Sequence, residues 1–181
     1  AQVALARRES HHRGQRHLGL ARVVRRELPH TWAAWRAGRE YNWAVADART
    51  DRLHGTVGLN ALRGTTADIG LNFGPHARGT GAAEAACRLL LEHAFGSLGL
   101  TYAYWMAKVP NWASRKLAWR LGFRSPVRID GFMEQRGASV DAWILTLGAH
   151  DPRVPQTPWD GPPPPAPGAG EPGDPDRPGP R

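Results

Sequence analysis

The stretch from Asp68 to Leu98 constrains the fold more than any other part of the chain. Apolar residues stand at every second position in 67–73, and this period predicts a half-buried strand. The turn Gly74-Pro75-His76-Ala77-Arg78-Gly79-Thr80-Gly81 follows the strand. Ala82 to Leu98 then show one apolar face at helical spacing. The sequence therefore predicts a strand, a glycine-rich turn and a helix in direct succession.

The turn leaves the start of the predicted helix almost bare. Gly79, Gly81, Ala82 and Ala83 place little side chain over the first helical turn, so its unpaired backbone N–H groups are accessible. Free N–H groups at the positive end of a helix dipole bind anions. We therefore expect this helix N-terminus to hold a pyrophosphate.

Two familiar phosphate-binding motifs do not fit the turn. A P-loop needs Lys and then Ser or Thr after its last glycine, whereas Thr80 and Gly81 follow Gly79. A dinucleotide fingerprint needs a third glycine at the position of Glu84. It also needs an acidic residue about 20 positions further on, at the end of the next strand, where Met106-Ala107-Lys108 stand instead. The pattern that remains, Arg78-x-x-Gly81-x-Ala83, is short, and a glycine-rich turn without a ligand explains it equally well on its own.

Further elements are predicted on both sides of this unit. Helices are expected at 18–28, 31–35 and 112–121, and further strands at 43–46, 55–62, 102–107, 127–129 and 140–147. Asn111 suits the N-cap of the helix at 112–121, and Gly122 ends it. The three strands before the turn are expected to be antiparallel neighbours. A helical crossover makes the strand at 102–107 parallel to the one at 68–73.

The order of these elements and three motifs resemble the GNAT acetyltransferase superfamily. Arg78-x-x-Gly81-x-Ala83 is similar to its acetyl-CoA motif, Arg/Gln-x-x-Gly-x-Gly/Ala. Asn111-x-x-Ser114 followed by Leu121-Gly122-Phe123 resembles its second helix motif, and Val140-Asp141-Ala142-Trp143 stands at its last strand. The turn at 74–81 resembles the corresponding turn in the branch of the family that acetylates the N-termini of ribosomal proteins. The resemblance covers roughly residues 32–147.

The resemblance implies an α+β fold in α/β/α layers: a mixed, mostly antiparallel sheet with a central parallel strand pair, flanked by helices. Residues 32–150 would form the acetyltransferase domain. Residues 1–31 match the family poorly, and the segment 2–6 is the candidate for a partial first strand. Residues 151–181 contain twelve prolines and are expected to form a disordered or extended tail.

The resemblance further implies a reaction and a set of binding residues. Acetyl-CoA would be the co-substrate, and the acceptor would be a primary amine, either a protein N-terminal amine or a small amine. No metal is implied, and no Cys or carboxylate accompanies the His residues at 11, 12 and 17 at the spacing of metal ligands. The implied cofactor-binding residues are Phe73, Arg78, Gly79, Thr80, Gly81, Ala82, Ala83 and Asn111.

Ser114 and Glu134 are the catalytic candidates. Many GNAT enzymes carry at position 118 a tyrosine that protonates the leaving thiolate, and Ala118 replaces it here. The resemblance therefore implies that Ser114 protonates the thiolate instead, directly or through a water, although a serine in a first helical turn can also be purely structural.

Glu134 is favoured as the base. It is displaced by about one residue from the glutamate of the ribosomal-protein branch, and a displacement of one residue on a strand reverses the direction of the side chain. Asp68 and Asp141 are alternative bases. The oxyanion would be stabilised by a backbone N–H near Asn72 or Phe73.

Composition limits the partners and the compartment. The net charge of +8 comes from 22 Arg and 2 Lys against 16 acidic residues, and it suits an anionic cofactor, a ribosome-bound substrate or RNA. An arginine-rich solvated surface explains it as well, so no specific nucleic acid is expected. One cysteine excludes an intramolecular disulfide, and no membrane partner is expected because no apolar run reaches membrane length. The expected location is cytoplasmic, and a homodimer is left open.

Two other functions stay open on the same scaffold. The chain could bind acyl-CoA without turnover, since its catalytic acid and N-terminal region match the family poorly. It could also be a basic ribosome- or RNA-associated protein. Trp105, Trp119 and Trp143 are interpreted as packing residues before any role in substrate stacking.

Overall fold

Residues 40–47 and 49–163 are described by a computed structural model of the chain. Within them, β1 (Tyr41–Ala46), β2 (Leu53–Arg63), β3 (Thr66–Phe73), β4 (Tyr102–Lys108), β5 (Arg124–Gln135) and β6 (Ala138–Gly148) form one sheet. Helix α1 (Ala82–Glu92) connects β3 to β4, and α2 (Trp112–Arg120) connects β4 to β5. The helices predicted at 18–28 and 31–35 and the strand predicted at 2–6 lie outside the described residues.

The strand order is β1-β2-β3-β4-β6-β5. β1, β2 and β3 are consecutive antiparallel strands, β3 and β4 are parallel, and β6 is antiparallel to both β4 and β5. The predicted mixed sheet with a central parallel pair is therefore confirmed. No helix in the described ranges is long and apolar enough to span a membrane.

Both described helices pack on the same face of the sheet. Successive side chains of a strand point to opposite faces, and the strand residues that belong to the core cluster are all odd-numbered, so they share one face. The strands contribute to the core cluster residues 57 and 59 of β2, 67 and 69 of β3, 103, 105 and 107 of β4, and 143, 145 and 147 of β6. The other members are residues 87, 90, 91 and 94 of the α1 region, 118 and 121 of the α2 region, and residues 100 and 123 just before β4 and β5. The packing interpretation of Trp105 and Trp143 is confirmed, since they are 1% and 7% exposed.

Helix α1 starts at the predicted residue. Gly81 precedes it with φ +83°, a left-handed conformation that favours glycine, and the helix begins at Ala82. After Glu92 the chain continues in a wider helical turn from His93 to Ser97. Gly99, with φ +66°, follows this turn. The helix predicted at 82–98 is thus present, with its last turn widened.

Strand β5 is longer than predicted, because it runs from Arg124 to Gln135 rather than over 127–129. Its register with β6 shifts between Ile129 and Met133, around Gly131 at φ +63°. The Asp141 carboxylate accepts a hydrogen bond of 2.9 Å from the Gly131 N–H and so fills a position that the ladder leaves open. Such a bulge interrupts the period of two that would have revealed the strand.

Cys87 is a buried free thiol. It is fully buried within the core, and burial raises its pKa to about 12. The thiolate is the nucleophilic form, so we expect iodoacetamide to leave the native protein unmodified at neutral pH and to add one group after denaturation. Mass spectrometry of the native and denatured protein measures this. Rapid modification of the native protein would contradict the packing of α1.

Residues 151–163 form no helix or strand and lie against α2. Trp159, for example, packs on Trp112 and Trp119 with ring centroids 6.2 and 5.5 Å apart. Part of the predicted tail is thus in contact with the domain, while residues 164–181 lie outside the described part of the chain. The domain boundaries predicted at 31 and 150 stay predictions.

Candidate functional site

The parallel strands β3 and β4 pair over only part of their lengths. The pairs run from Thr66 with Tyr102 to Ile69 with Trp105, and no pair follows. β3 nevertheless continues to Phe73, held by β2, and β4 continues to Lys108, held by β6. The two strands therefore part after Trp105, and a gap opens in the sheet between their C-terminal ends.

The unpaired end of β3 offers backbone donors to this gap. The N–H of Gly74 donates to His54 O of β2 at 2.9 Å, so it points away from the gap. Because N–H directions alternate along a strand, the N–H groups of Leu71 and Phe73 point to the opposite side, toward β4. Of the two donors considered from the sequence, this alternation selects Phe73 rather than Asn72.

The glycine-rich turn leaves several N–H groups free at the start of α1. The Arg78 N–H is used inside the turn, donating to Pro75 O at 3.2 Å, and the Ala82 N–H donates to Thr80 Oγ1 at 3.3 Å. The N–H groups of Gly79, Thr80, Gly81 and Ala83 find no acceptor among the described residues. A Cβ built on Gly79 or Gly81 meets nothing within 4 Å. The turn is thus an open cradle of backbone donors, which suits a diphosphate.

Charges around this cradle also favour an anion. The Arg78 side chain is exposed and forms no ion pair with a described residue, so its positive charge is available. Glu84 lies in the first turn of α1, where a free carboxylate would repel an anion. Its two oxygens instead face Arg88 Nη2 at 2.8 Å and Arg120 Nη1 at 3.8 Å. The sequence interpretation missed this neutralisation, although Glu84 and Arg88 stand at the i, i+4 spacing of a helical ion pair.

Asn111 caps α2 as predicted. Its Oδ1 accepts the N–H of Ser114 at 3.0 Å, which satisfies one of the free donors of the first turn. The Asn111 side chain is exposed, and its Nδ2 group has no partner in the described part of the chain. Nδ2 is therefore available to a ligand, and the predicted contact with the cofactor stays a prediction.

The hydroxyl of Ser114 is oriented by a buried tryptophan. Trp105 Nε1 donates to Ser114 Oγ at 3.0 Å, and the indole is held in the core against Phe123 with centroids 5.4 Å apart. Since Oγ accepts from the indole, its own hydrogen is free to be donated elsewhere. Trp105 is also the last residue of β4 that pairs with β3. This contact, which the sequence interpretation missed, places Ser114 beside the point where the strands part.

Glu134 makes no contact with Ser114, with Trp105 or with the cradle in the structure. It lies near the tip of the β5–β6 hairpin, opposite Ser139, with an exposed side chain. The neighbouring side chain of Gln135 accepts a 2.8 Å hydrogen bond from Lys108 Nζ at the end of β4. No contact connects Glu134 to Ser114 or to the turn. Its role as a base stays a prediction.

The two alternative bases are engaged by arginines. Asp68 lies in the paired part of β3, is 7% exposed and contacts Arg63 Nη2 at 3.0 Å. Asp141 accepts from the Gly131 N–H and from Arg128 Nη2, and these two bonds lower its pKa below the ordinary value. A carboxylate with a lowered pKa is a weaker base. Both side chains therefore have structural partners that compete with proton transfer.

No three His, Cys, Asp or Glu side chains in the described ranges are grouped so as to hold a metal ion. The site consists of the cradle at 78–83, the gap between β3 and β4, and the first turn of α2. All three are formed where β3 and β4 end. Such an arrangement can bind an elongated anionic ligand and present its far end to a hydroxyl and a backbone N–H.

Comparison with known proteins gives one family and a set of distant relatives. A family model described as an acetyltransferase (GNAT) domain matches residues 5–124. The chain is 26% identical over 112 residues to the uncharacterized N-acetyltransferase p20 of Bacillus licheniformis, a match that covers 61% of this chain and 63% of that protein. The matched region thus spans less than two thirds of the relative's length.

Solved structures share the fold. A protein described as a "putative ribosomal-protein-serine acetyltransferase" from Vibrio cholerae has a TM-score of 0.61 at 22% identity, covering 66% of this chain and 70% of its own. The spermidine/spermine N-acetyltransferase SpeG from Vibrio cholerae, solved with manganese ions, has a TM-score of 0.58 at 21% identity, covering 65% and 69%. At these identities the likeness establishes the architecture alone.

Proposed function

Because the chain belongs to the GNAT acetyltransferase family, we propose that it transfers the acetyl group of acetyl-CoA to a primary amine. One observation carries the proposal: β3 and β4 part beside a helix start at which the N–H groups of Gly79, Thr80, Gly81 and Ala83 have no acceptor among the described residues. A diphosphate and a narrow chain attached to it fit these two adjoining features. The named relatives in the comparisons support an amine as the acceptor.

Binding rests on the backbone of the turn. The N–H groups of Gly79, Thr80, Gly81 and Ala83 and the charge of Arg78 hold the diphosphate, as charge-assisted hydrogen bonds do in other anion sites. The gap between β3 and β4 receives the pantetheine arm, with Asn111 Nδ2 available as a donor near its far end. Acetyl-CoA supplies, when bound, an activated thioester carbonyl.

Two donors of the chain then serve the transfer. The N–H of Phe73 points into the gap and is placed to stabilise the carbonyl oxygen as it becomes negative. Ser114 Oγ–H is free to protonate the leaving sulfur, since Oγ itself is held by Trp105. Overall a C–N bond forms and a C–S bond breaks, the amine loses a proton and the sulfur gains one.

The charges of the site favour a protein N-terminal amine over a polyamine. An α-amino group has a pKa of about 8 and is partly neutral near physiological pH, whereas an aliphatic amine of pKa about 10.4 needs a strong base. The carboxylates considered as bases are either paired with arginine, as Asp68 and Asp141 are, or unconnected to Ser114, as Glu134 is. A polycation would also need several free carboxylates.

The proposal is tested by acetyl-CoA turnover on a peptide library with varied first residues, alongside spermidine, between pH 7 and 9. Free thiol released from coenzyme A measures the reaction, and the buried Cys87 adds no background. We expect turnover with unblocked peptides and none with the same peptides carrying an acetylated N-terminus. Faster turnover of spermidine at every pH would contradict the assigned acceptor.

A binding module without turnover is the second candidate, favoured by the separation of Glu134 from Ser114. Acetyl-CoA would then raise the melting temperature while no amine released thiol. RNA binding with a steep salt dependence and no effect of acetyl-CoA would instead indicate a nucleic-acid-binding protein on this scaffold.

A further inference from the structure

The segment 151–161, here called the strap, runs along α2 from its end back to its beginning. A Cβ built on Gly122 would lie 2.2 Å from Pro152 O, so the strap passes directly over this glycine. Trp119 Nε1 then donates to Thr157 O at 2.8 Å. Trp159 and Asp160 follow at the first turn of α2. The strap therefore lies antiparallel to the helix along its whole length.

Close to its end, the strap contacts the buried guanidinium group of Arg115. The Arg115 side chain is 8% exposed, and its Nη2 contacts Asp160 Oδ2 at 2.6 Å. Its guanidinium also lies over three indole rings, with 5.1 Å to the Trp112 centroid, 4.8 Å to Trp143 and 5.7 Å to Trp159. A desolvated guanidinium needs a counter-charge, and of the described carboxylates Asp160 is the one that contacts it. As far as the described residues go, losing Asp160 would leave this buried positive charge with aromatic faces alone.

The ion pair of Arg115 and Asp160, here called the clamp, adjoins the candidate catalytic serine. Arg115 is the next residue after Ser114, and both lie in the first turn of α2, after the cap Asn111. Trp143 and Trp159 hold the Arg115 side chain from β6 and from the strap, while Trp105 holds Ser114 from β4. The position of the serine hydroxyl thus depends on how firmly this turn is fixed on the sheet.

We propose that Arg115 and Asp160 are positioning residues, and that the strap fixes the first turn of α2 so that Ser114 stays aligned with the gap between β3 and β4. This inference rests on the proposed acetyl transfer. A small displacement of a reacting group lowers a rate strongly, up to about 100-fold for 1 Å. The strap then contributes to turnover without touching either substrate.

The test compares two isosteric changes in the strap of the full chain. Asp160→Asn removes the counter-charge of Arg115. Asp151→Asn is the matched control, because Asp151 also forms a 3.0 Å ion pair with an arginine, Arg124, but at the other end of the strap. Assayed well below both melting temperatures, Asp160→Asn is expected to lower kcat about tenfold with KM for acetyl-CoA nearly unchanged. Asp151→Asn should leave kcat unchanged, and Asp160→Glu should restore most of it.

Amide hydrogen exchange of residues 111–117 provides a readout that does not need activity. Faster exchange there in Asp160→Asn, but not in Asp151→Asn, supports the clamp. Unchanged exchange overturns it. Faster exchange with wild-type kcat overturns the positioning role and leaves the strap a stabilising contact. A wild type that turns over no amine overturns the proposed acetyl transfer and the positioning role that rests on it, and the exchange data then decide on the clamp alone.

Discussion

Replacing Gly81 with glutamate is expected to abolish acetyl-CoA binding, with Kd rising by at least about 100-fold. Gly81 lies among the residues of the cradle whose N–H groups have no acceptor in the described part of the chain, and a Cβ built on it meets nothing within 4 Å, so a side chain there would enter open space. The added carboxylate would occupy these donors and repel the diphosphate. Isothermal titration of acetyl-CoA into each protein measures the effect.

Gly99→Glu is the matched control for this change. Gly99 also has a positive φ, +66° against +83° for Gly81, and a Cβ built on it also meets nothing within 4 Å. Both variants therefore carry the same charge and a similar backbone strain of about 1–2 kcal/mol. Gly99 lies beyond the opposite end of the helix, 18 residues further along the chain than Gly81. Equal acetyl-CoA affinity of the two variants would refute the cradle.

Ser114→Ala is expected to lower kcat by about 100-fold or more while changing the affinity for acetyl-CoA little. The reason is that the hydroxyl acts on the leaving sulfur and makes no contact that binding requires, and general acids contribute about 10²–10⁴-fold. Steady-state kinetics with a peptide acceptor, together with titration of acetyl-CoA, separate kcat from affinity.

The substitution also removes the acceptor of the Trp105 indole, so its structural effect needs its own control. Trp105→Phe removes the same 3.0 Å hydrogen bond from the other side and keeps the serine hydroxyl. Ser114→Ala leaves the indole N–H unsatisfied, at a cost of about 1–3 kcal/mol in stability, whereas Trp105→Phe has no such N–H and loses stability through its smaller ring in the core. Melting curves of both variants measure these losses. Because Trp105→Phe keeps the hydroxyl and only releases its orientation, we expect it to lower kcat less than Ser114→Ala does. An equal loss of kcat would mean that the shared hydrogen bond, and not the proton of the hydroxyl, accounts for the effect of Ser114→Ala.

The parts of the fold that follow a local rule could be predicted from the sequence. β3 shows a clean period of two, α1 begins behind two glycines, and Asn111 is a strong N-cap. The twelve residues of β5 could not be predicted in full, because the bulge at Gly131 breaks the alternation and depends on Asp141 from another strand.

The candidate site also has parts that follow a local rule and parts that depend on tertiary contacts. The cradle could be predicted because backbone donors need only glycines and a helix start. The orientation of Ser114 could not, since Trp105 reaches it through tertiary packing of β4 on α2. Nor could the strap, because proline-rich sequence has no period, and its decisive contact joins Arg115 to a residue 45 positions away. The partners of Asp141 could not be predicted either, since Arg128 and Gly131 reach it from a neighbouring strand, whereas the partner of Asp68, Arg63, is only five residues away in the sequence.

The separation of Arg115 and Asp160 in the sequence has a consequence for the synthesis of the chain. A ribosome makes the arginine 45 residues before its counter-ion, and the whole β5–β6 hairpin is made in between. Until then the nascent domain carries a guanidinium among indoles without a carboxylate, which disfavours closure of that corner. A nonsense codon shortly before position 160 would therefore release a chain that contains all six described strands but lacks the counter-ion of Arg115.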